Sequence, residues 1–144
     1  MRIYLAGPLF TAAEREWNRR LAACLREAGH DVRLPQEFPE NQPPFNPLLI
    51  YRKDALEARL ADAVVAWLDG PDPDSGTCWE HGYKLGLGGR VLGYTTDLRF
   101  QNAMDGSHDL NLMVTQSAPI LRFSPDVTPE RVADAVHAFL KTCK

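Results

Sequence analysis

The sequence predicts an α/β fold in which a parallel sheet of about five strands carries helices on both faces. Short apolar runs alternate with amphipathic segments along the chain, and glycine or proline separates most of them. Residues 62–68 are nearly all apolar, which is typical of a buried parallel strand. Alternating strands and helices indicate a parallel sheet, and right-handed crossovers make the flavodoxin-like (Rossmann-like) strand order 2-1-3-4-5 the simplest choice. Residues 1–144 are expected to form a single domain.

The first half of the chain is predicted to contain two strands and two helices. A strand at 2–6 is followed by a helix at 11–29, which starts with a Thr-x-x-Glu capping box and ends at a glycine. After a second strand at 31–34, the proline-rich segment 35–47 is interpreted as a candidate lid, or alternatively as a surface excursion. A helix over 48–60 is expected to turn three side chains toward the core: Leu49, Leu56 and Leu60.

The second half continues the alternation of strands and helices. The predicted elements are a strand at 62–68, a helix at 76–87, a strand at 90–94, a polar loop at 95–108, a short segment at 109–116, a strand at 119–123 and a final helix from 128 onward.

Composition excludes several classes of function. The net charge is −3 without a long basic run, which argues against nucleic acid or an acidic membrane surface as the main partner. No apolar run reaches the ~18 residues of a membrane span, and the start of the chain is too short for a secretory signal, so a cytoplasmic protein is expected. Cys24, Cys78 and Cys143 are widely spaced and indicate neither a disulfide framework nor a zinc site. No metal or cofactor is expected, and there is no GxGxxG or Walker A sequence.

The segment 74–82 reads Asp-Ser-Gly-Thr-Cys-Trp-Glu-His-Gly and directly follows the apolar run at 62–68 and its short loop. It places Asp74 and Glu80 across a strand-to-helix turn, where open α/β sheets build ligand sites. A carboxylate in the first turn of a helix is expected to stay ionised, as a nucleophile must. The alternative interpretation is that Thr77 and Glu80 form a capping box.

Four segments in this order resemble the nucleoside 2-deoxyribosyltransferase family. They are Ile-Tyr-Leu-Ala-Gly-Pro-Leu-Phe at 3–10, Tyr-Arg-Lys-Asp at 51–54, Asp-Ser-Gly-Thr-x-x-Glu-x-Gly at 74–82 and Asn-Leu-Met at 111–113. The resemblance implies that Glu80 attacks the anomeric carbon of a deoxynucleoside, that the base leaves, and that a second base attacks the covalent intermediate. Such an oxocarbenium-like transition state and ping-pong exchange suit a fixed carboxylate. The implied ligands are deoxynucleosides and free nucleobases.

The resemblance also implies roles for other residues. Tyr4 would hold Glu80 by a hydrogen bond, and Asp54 would shuttle a proton to the leaving base. Asp74 would bind the sugar hydroxyls, chiefly the 5′-hydroxyl. Gly7 is placed among the substrate-binding residues, and Phe10 would stack on the base. The alternatives are an ordinary strand aromatic for Tyr4, a solvated helix carboxylate for Asp54 and a turn residue for Asp74.

The Asn-Leu-Met segment carries a further implication. In the family it reaches into the active site of a neighbouring subunit, so Asn111 and Met113 would help to bind substrate across an interface. A homo-oligomer built from dimers follows, because a two-fold contact makes the donation reciprocal. The alternative for Met113 is a core residue on a short helix.

Two other functions compete with transfer. A hydrolase on the same fold would use water as the acceptor and would cleave a deoxynucleoside or a nucleoside 5′-monophosphate. Phosphate binding favours small hydroxyl residues, glycines or arginines, whereas this chain offers Pro8, Leu9 and Phe10 in the first loop and Asp74 before the nucleophile. A non-catalytic nucleotide sensor would need no proton-transfer group, although Tyr4, Asp54 and Glu80 are all present.

Overall fold

A computed structural model of the chain describes residues 1–100 and 110–142. The described residues form one sheet whose strands are all parallel and follow the order β2-β1-β3-β4-β5, which confirms the predicted fold class. The strands are β1 Arg2–Ala6, β2 Asp31–Arg33, β3 Ala63–Trp67, β4 Arg90–Thr95 and β5 Ile120–Arg122.

The helices begin at the side chains that can cap them. Thr11 accepts a hydrogen bond from the amide of Glu14, and Glu14 accepts one in return, so the predicted capping box is present. Asn46 and Asp74 cap the next two long helices. The helices are α1 Ala12–Glu27, α2 Pro47–Leu60, α3 Ser75–Gly86, α4 Leu112–Thr115 and α5 Pro129–Thr142.

The sheet separates two apolar clusters, and the alternation of side chains along β1 shows how. Ile3 and Leu5 pack in the cluster that contains residues of α1 and α5, whereas Tyr4 and Ala6 pack in the cluster on the side of α2. Each face of the sheet is therefore covered, as a parallel sheet requires. Tyr4 is consequently directed toward the layer of α2 and α3.

Helix α2 differs from the prediction. Leu49, Leu56 and Leu60 were expected in the core, but each is about half exposed. The buried positions of α2 are Glu57 and Ala58. Glu57 can be buried because three cations surround its carboxylate: Arg2 at 2.8 Å, Arg33 at 2.9 Å and Lys53 at 2.9 Å.

The β2–α2 connection is more ordered than a simple loop. It contains two 3-10 turns, Pro35–Glu37 and Pro39–Asn41. Its start is tied to α1, because Nε2 of Gln36 donates to the carbonyl of Arg15 at 2.9 Å. Of the second predicted polar loop, the structure describes the end of β4 and a 3-10 turn, Leu98–Phe100; its residues 101–108 lie outside the described residues. None of the helices in the described part of the chain is both long and apolar enough to cross a membrane.

Candidate active site

A cavity of ≈ 290 Å³ opens where the first and second βα connections meet α2 and the start of α3. Its position at the carboxyl ends of β1 and β3 is the usual place for a ligand in an open α/β sheet. The residues that line it are Gly7, Leu9, Phe10, Pro35, Asn41, Phe45, Ile50, Asp54, Asp74, Gly76, Thr77 and Glu80.

Glu80 and Tyr4 form a polar contact beside this cavity. Tyr4 lies on β1 and is fully buried, and its hydroxyl donates to Oε1 of Glu80 at 2.5 Å. Burial, with the nearby charges of Glu80 and Asp54, raises the pKa of Tyr4 well above its usual range. The phenol therefore remains a hydrogen-bond donor, which holds one carboxyl oxygen of Glu80 in a fixed position.

Glu80 itself does not behave as its placement near a helix start suggests. It lies in the second turn of α3, beyond the N-terminal amides. Burial raises the pKa of Glu80 to about 8; the hydrogen bond from Tyr4 opposes this rise, and the charges of Asp54 and Asp74 add to it. A pKa in this range favours the protonated form of Glu80 at neutral pH, which differs from the expectation of an ionised side chain.

Asp74, and not Thr77, caps α3. Oδ2 of Asp74 accepts hydrogen bonds from the amide of Thr77 at 2.8 Å and from its hydroxyl at 3.0 Å. The alternative capping box of Thr77 and Glu80 is wrong, because Thr77 is buried inside the helix and Glu80 is bound to Tyr4 instead. Asp74 also lines the cavity, so one carboxyl group both starts the helix and faces the ligand space.

Asp54 faces the same cavity from α2. Burial raises the pKa of Asp54 to about 6; a hydrogen bond from Asn41 opposes this, Glu40 adds to it and Lys53 opposes it. Nδ2 of Asn41 lies 3.3 Å from Oδ1 and 3.4 Å from Oδ2 of Asp54. Asn41 was not found from the sequence, since an asparagine in a proline-rich loop carries no signal of a contact to a residue thirteen positions later.

Two aromatic side chains stand at the rim of the cavity. Phe10, which was predicted, is 74% exposed and belongs to the first connection. Phe45, which was not predicted, is 64% exposed and belongs to the second. Gly7 lies at the end of β1, where an added Cβ would come within 3.2 Å of Cβ of Trp67. A side chain at Gly7 would therefore crowd Trp67 directly after β1.

The structure does not bring Asn111 and Met113 to the same cavity. They line a second one of ≈ 700 Å³ on the opposite side of α3, together with Cys78 and His81. Met113 is 79% exposed, so its alternative interpretation as a core residue is wrong. Asn111 caps α4 by accepting from the amide of Met113 at 2.9 Å. In residues 1–100 and 110–142, no group of three or more His, Cys, Asp or Glu side chains is placed to hold a metal ion.

Comparison with known proteins identifies relatives of this fold. A conserved protein from Enterococcus faecalis V583 is 25% identical, with a TM-score of 0.76 and coverage of 96% of this chain and 98% of that chain. A 2-deoxyribosyltransferase from Bacillus psychrosaccharolyticus is 26% identical, with a TM-score of 0.69 and coverage of 95% and 96%. A CMP N-glycosidase from Clostridium botulinum shares the fold at 15% identity, with a TM-score of 0.64 and coverage of 96% and 99%.

Curated protein sequences provide no significant match. The profile of the nucleoside 2-deoxyribosyltransferase family, however, matches residues 3–117, which include Tyr4, Asp54, Asp74 and Glu80. This span covers most of the chain and the whole cavity described above. The protein therefore belongs to the nucleoside 2-deoxyribosyltransferase family.

Proposed function

We propose that the protein exchanges the nucleobase of a 2-deoxynucleoside for a free base, with Glu80 as the nucleophile. The observation that carries this proposal is the contact between Tyr4 and Glu80 at 2.5 Å, beside a cavity that Asp54 and Asp74 also line. A buried carboxyl group oriented by a neutral donor suits attack on a carbon that develops positive charge.

In the first half of the reaction, a carboxylate oxygen of Glu80 bonds to the anomeric carbon of the sugar. The bond from that carbon to the base nitrogen breaks, and its electron pair leaves with the base. Protonated Asp54 supplies the proton that neutralises the leaving base. Asp74 accepts a hydrogen bond from the 5′-hydroxyl and holds the sugar in register.

In the second half, a nitrogen of the incoming base bonds to the anomeric carbon and Glu80 leaves as a carboxylate. Asp54 takes the proton that this nitrogen loses, so one proton circulates between base and Asp54. The reactive enzyme needs Glu80 ionised and Asp54 protonated, whereas the pKa values of about 8 and about 6 favour the opposite arrangement in the unliganded protein. The positive charge that develops on the sugar stabilises the ionised form of Glu80 during the reaction.

Asp74 also bears on the competing hydrolysis of a nucleotide. Its carboxylate lines the cavity, and in the proposed binding mode the 5′ end of the sugar lies beside it. Two unit charges of the same sign at 4 Å repel by about 4 kcal/mol at an effective dielectric constant of about 20. A 5′-phosphate is therefore disfavoured, and a free 5′-hydroxyl is preferred.

A product assay separates the candidate functions. The protein is incubated with thymidine and free adenine; a transferase forms deoxyadenosine, a hydrolase forms only thymine and free sugar, and a sensor forms neither. Glu80→Ala should lower turnover by several orders of magnitude, while Glu16→Ala, at an exposed position on α1, serves as the control. A 2-fluoro-2-deoxynucleoside should leave a sugar adduct on Glu80, and an adduct only on another residue would overturn the assignment.

The second part of the proposal is that a second copy of the chain completes the site. Asn111 and Met113 lie across α3 from Glu80, so within one chain they line a different cavity. Leu112 and Met113 are strongly exposed, which is costly for apolar side chains unless another molecule covers them. When a neighbouring copy covers α4 of the first chain, Asn111 and Met113 of the first chain contact the Glu80 cavity of that copy.

The outer surface of α2 and α3 supplies the rest of this contact. It carries three aromatic rings. The ring of Trp79 is stacked on that of Tyr83, with 4.8 Å between the ring centroids, and lies edge-on to that of Tyr51, with 5.6 Å between the centroids. Exposed leucines of α2 extend the surface: Leu48, Leu49, Leu56 and Leu60. Aromatic and aliphatic groups of this kind are the usual anchors of a stable protein interface.

Complementation tests the shared site. Glu80→Ala and Asn111→Asp should each be inactive, and aspartate can still cap α4. A mixed dimer carries one site with both changes and one with neither, so mixing under conditions of subunit exchange should restore part of the activity. Exchange proven by mass spectrometry without recovered activity, or an active monomer at the assay concentration, would contradict the shared site.

A further inference from the structure

Asn41 makes an unusual set of contacts for a loop asparagine. Its Nδ2 donates to the carbonyl of Pro35 at 2.9 Å and also lies 3.3 and 3.4 Å from the two carboxyl oxygens of Asp54. The two hydrogens of one amide nitrogen therefore join the backbone of the β2–α2 connection to the side chain of α2. Its Oδ1 is buried and has no hydrogen-bond partner among the described residues.

The orientation of this amide follows from its neighbours. An amide turned by 180° would place Oδ1 against the Pro35 carbonyl and the Asp54 carboxylate, so that acceptors would face acceptors. The orientation with Nδ2 inward is favoured although it leaves Oδ1 unpaired, because a lost contact to a charged group costs more than one to a neutral group. The contact therefore fixes the orientation of both side chains, the amide of Asn41 and the carboxyl group of Asp54.

We propose that Asn41 is a positioning residue for Asp54: it fixes the carboxyl group of Asp54 in the direction of the substrate base and connects that direction to the β2–α2 connection. The proposal rests on the proposed role of Asp54 in proton transfer. Gln36, next to Pro35, contacts α1 instead: its Nε2 donates to the carbonyl of Arg15, and it makes no hydrogen bond to Asp54.

Other charged groups also act on Asp54. Glu40 precedes Asn41 in the same turn, Lys53 and Glu57 share α2 with Asp54, and Glu80 interacts with it across the cavity. Asn41 differs from these because it is the group that donates a hydrogen bond directly to both carboxyl oxygens. It thereby favours the ionised form of Asp54, against the effect of burial.

Asn41→Leu tests the inference, since leucine has a similar shape and cannot donate. Gln36→Met is the matched control, because it removes the loop-anchoring amide that contacts Arg15 and does not touch Asp54. The carboxyl resonance of Asp54 is titrated by NMR in the free proteins. We expect its pKa to rise in Asn41→Leu and to stay unchanged in Gln36→Met.

Kinetics provide the second readout. With a natural deoxynucleoside, kcat of Asn41→Leu should fall about ten- to a hundredfold with little change in KM, because Asp54 is no longer held toward the base and this misplacement outweighs its larger protonated fraction. With a nitrophenyl deoxyriboside, whose leaving group needs no proton, the loss should be much smaller. An unchanged Asp54 titration, or equal losses of kcat on both substrates, would overturn the positioning role. Failure of the proposed function is seen separately, as a wild-type protein that neither transfers nor hydrolyses.

Discussion

Removal of the Tyr4 hydroxyl should shift the pH dependence of the reaction to higher pH. Tyr4→Phe keeps the ring that fills the space under α3 and deletes only the group that donates to Oε1 of Glu80. Burial raises the pKa of Glu80, and the hydrogen bond from Tyr4 opposes this rise, so that the net pKa is about 8. Without the donor, the ionised form of Glu80 is less stable, so its pKa rises further.

The expected size follows from the contact. A hydrogen bond to a charged group contributes about 1.5–3 kcal/mol, and one pKa unit corresponds to about 1.4 kcal/mol. At pH 7 the ionised fraction of Glu80 should therefore fall by about ten- to a hundredfold in the variant. Because the proposed mechanism requires ionised Glu80, kcat/KM below the pKa should fall by the same factor.

The measurement is kcat/KM as a function of pH for the wild type and two variants. Tyr94→Phe is the matched control, since Tyr94 is equally buried and its hydroxyl accepts from Nε1 of Trp17 at 3.0 Å in the other apolar cluster. The ascending limb of the pH profile of kcat/KM should move to higher pH in Tyr4→Phe alone. If it stays in place, or moves equally in Tyr94→Phe, Tyr4 does not control the ionisation of the nucleophile.

Three further changes test the electrostatics of the site. Glu80→Gln should stabilise the protein at alkaline pH by up to about 5 kcal/mol, because the pKa of Glu80 is raised from 4.5 to about 8 and one pKa unit is about 1.4 kcal/mol. The stability that protonated Glu80 provides is complete below about pH 4.5 and is lost as pH rises through about 8, so thermal unfolding should show no gain at acidic pH. Glu57→Gln should destabilise by about 3 kcal/mol at pH 7, since three cations lose their partner. The pKa of Glu57 is about 2, because its cations outweigh burial, so this difference should shrink as pH falls from about 4.5 through about 2, and a constant difference would contradict it. Asp54→Asn should reduce turnover of natural deoxynucleosides far more than that of a nitrophenyl deoxyriboside, and equal losses would indicate a structural role.

The fold could be predicted because its signals are local. The nearly apolar run before Asp74 became β3, and the box of Thr11 and Glu14 started α1 where it was expected. Parallel strand order then follows from the handedness of the crossovers. The motif residues Tyr4, Asp54, Asp74 and Glu80 lie on three separate segments of the chain, and that strand order brings the three segments together at one cavity.

The protonation of the site could not be predicted in this way. Proximity to a helix start suggested an ionised Glu80, but its pKa depends on burial by several segments and on the carboxyl groups of Asp54, from α2, and of Asp74. Asn41 was missed for the same reason, because its contact to Asp54 exists only after the β2–α2 connection has folded over α2. Sequence patterns describe the neighbours of a residue along the chain, whereas a pKa depends on its neighbours in space.

Helix α2 has polar side chains on its inner face and leucines on its outer face. Its inner face is occupied by Asp54, which lines the cavity, and by Glu57, which three cations neutralise. Since polar groups of the site occupy the inward positions, the leucines at 49, 56 and 60 are left on the outside. A free monomer would gain nothing from apolar residues there, and their solvation favours association. The outward leucines that contradicted the periodicity argument are therefore the strongest structural support for a second copy of the chain at this surface.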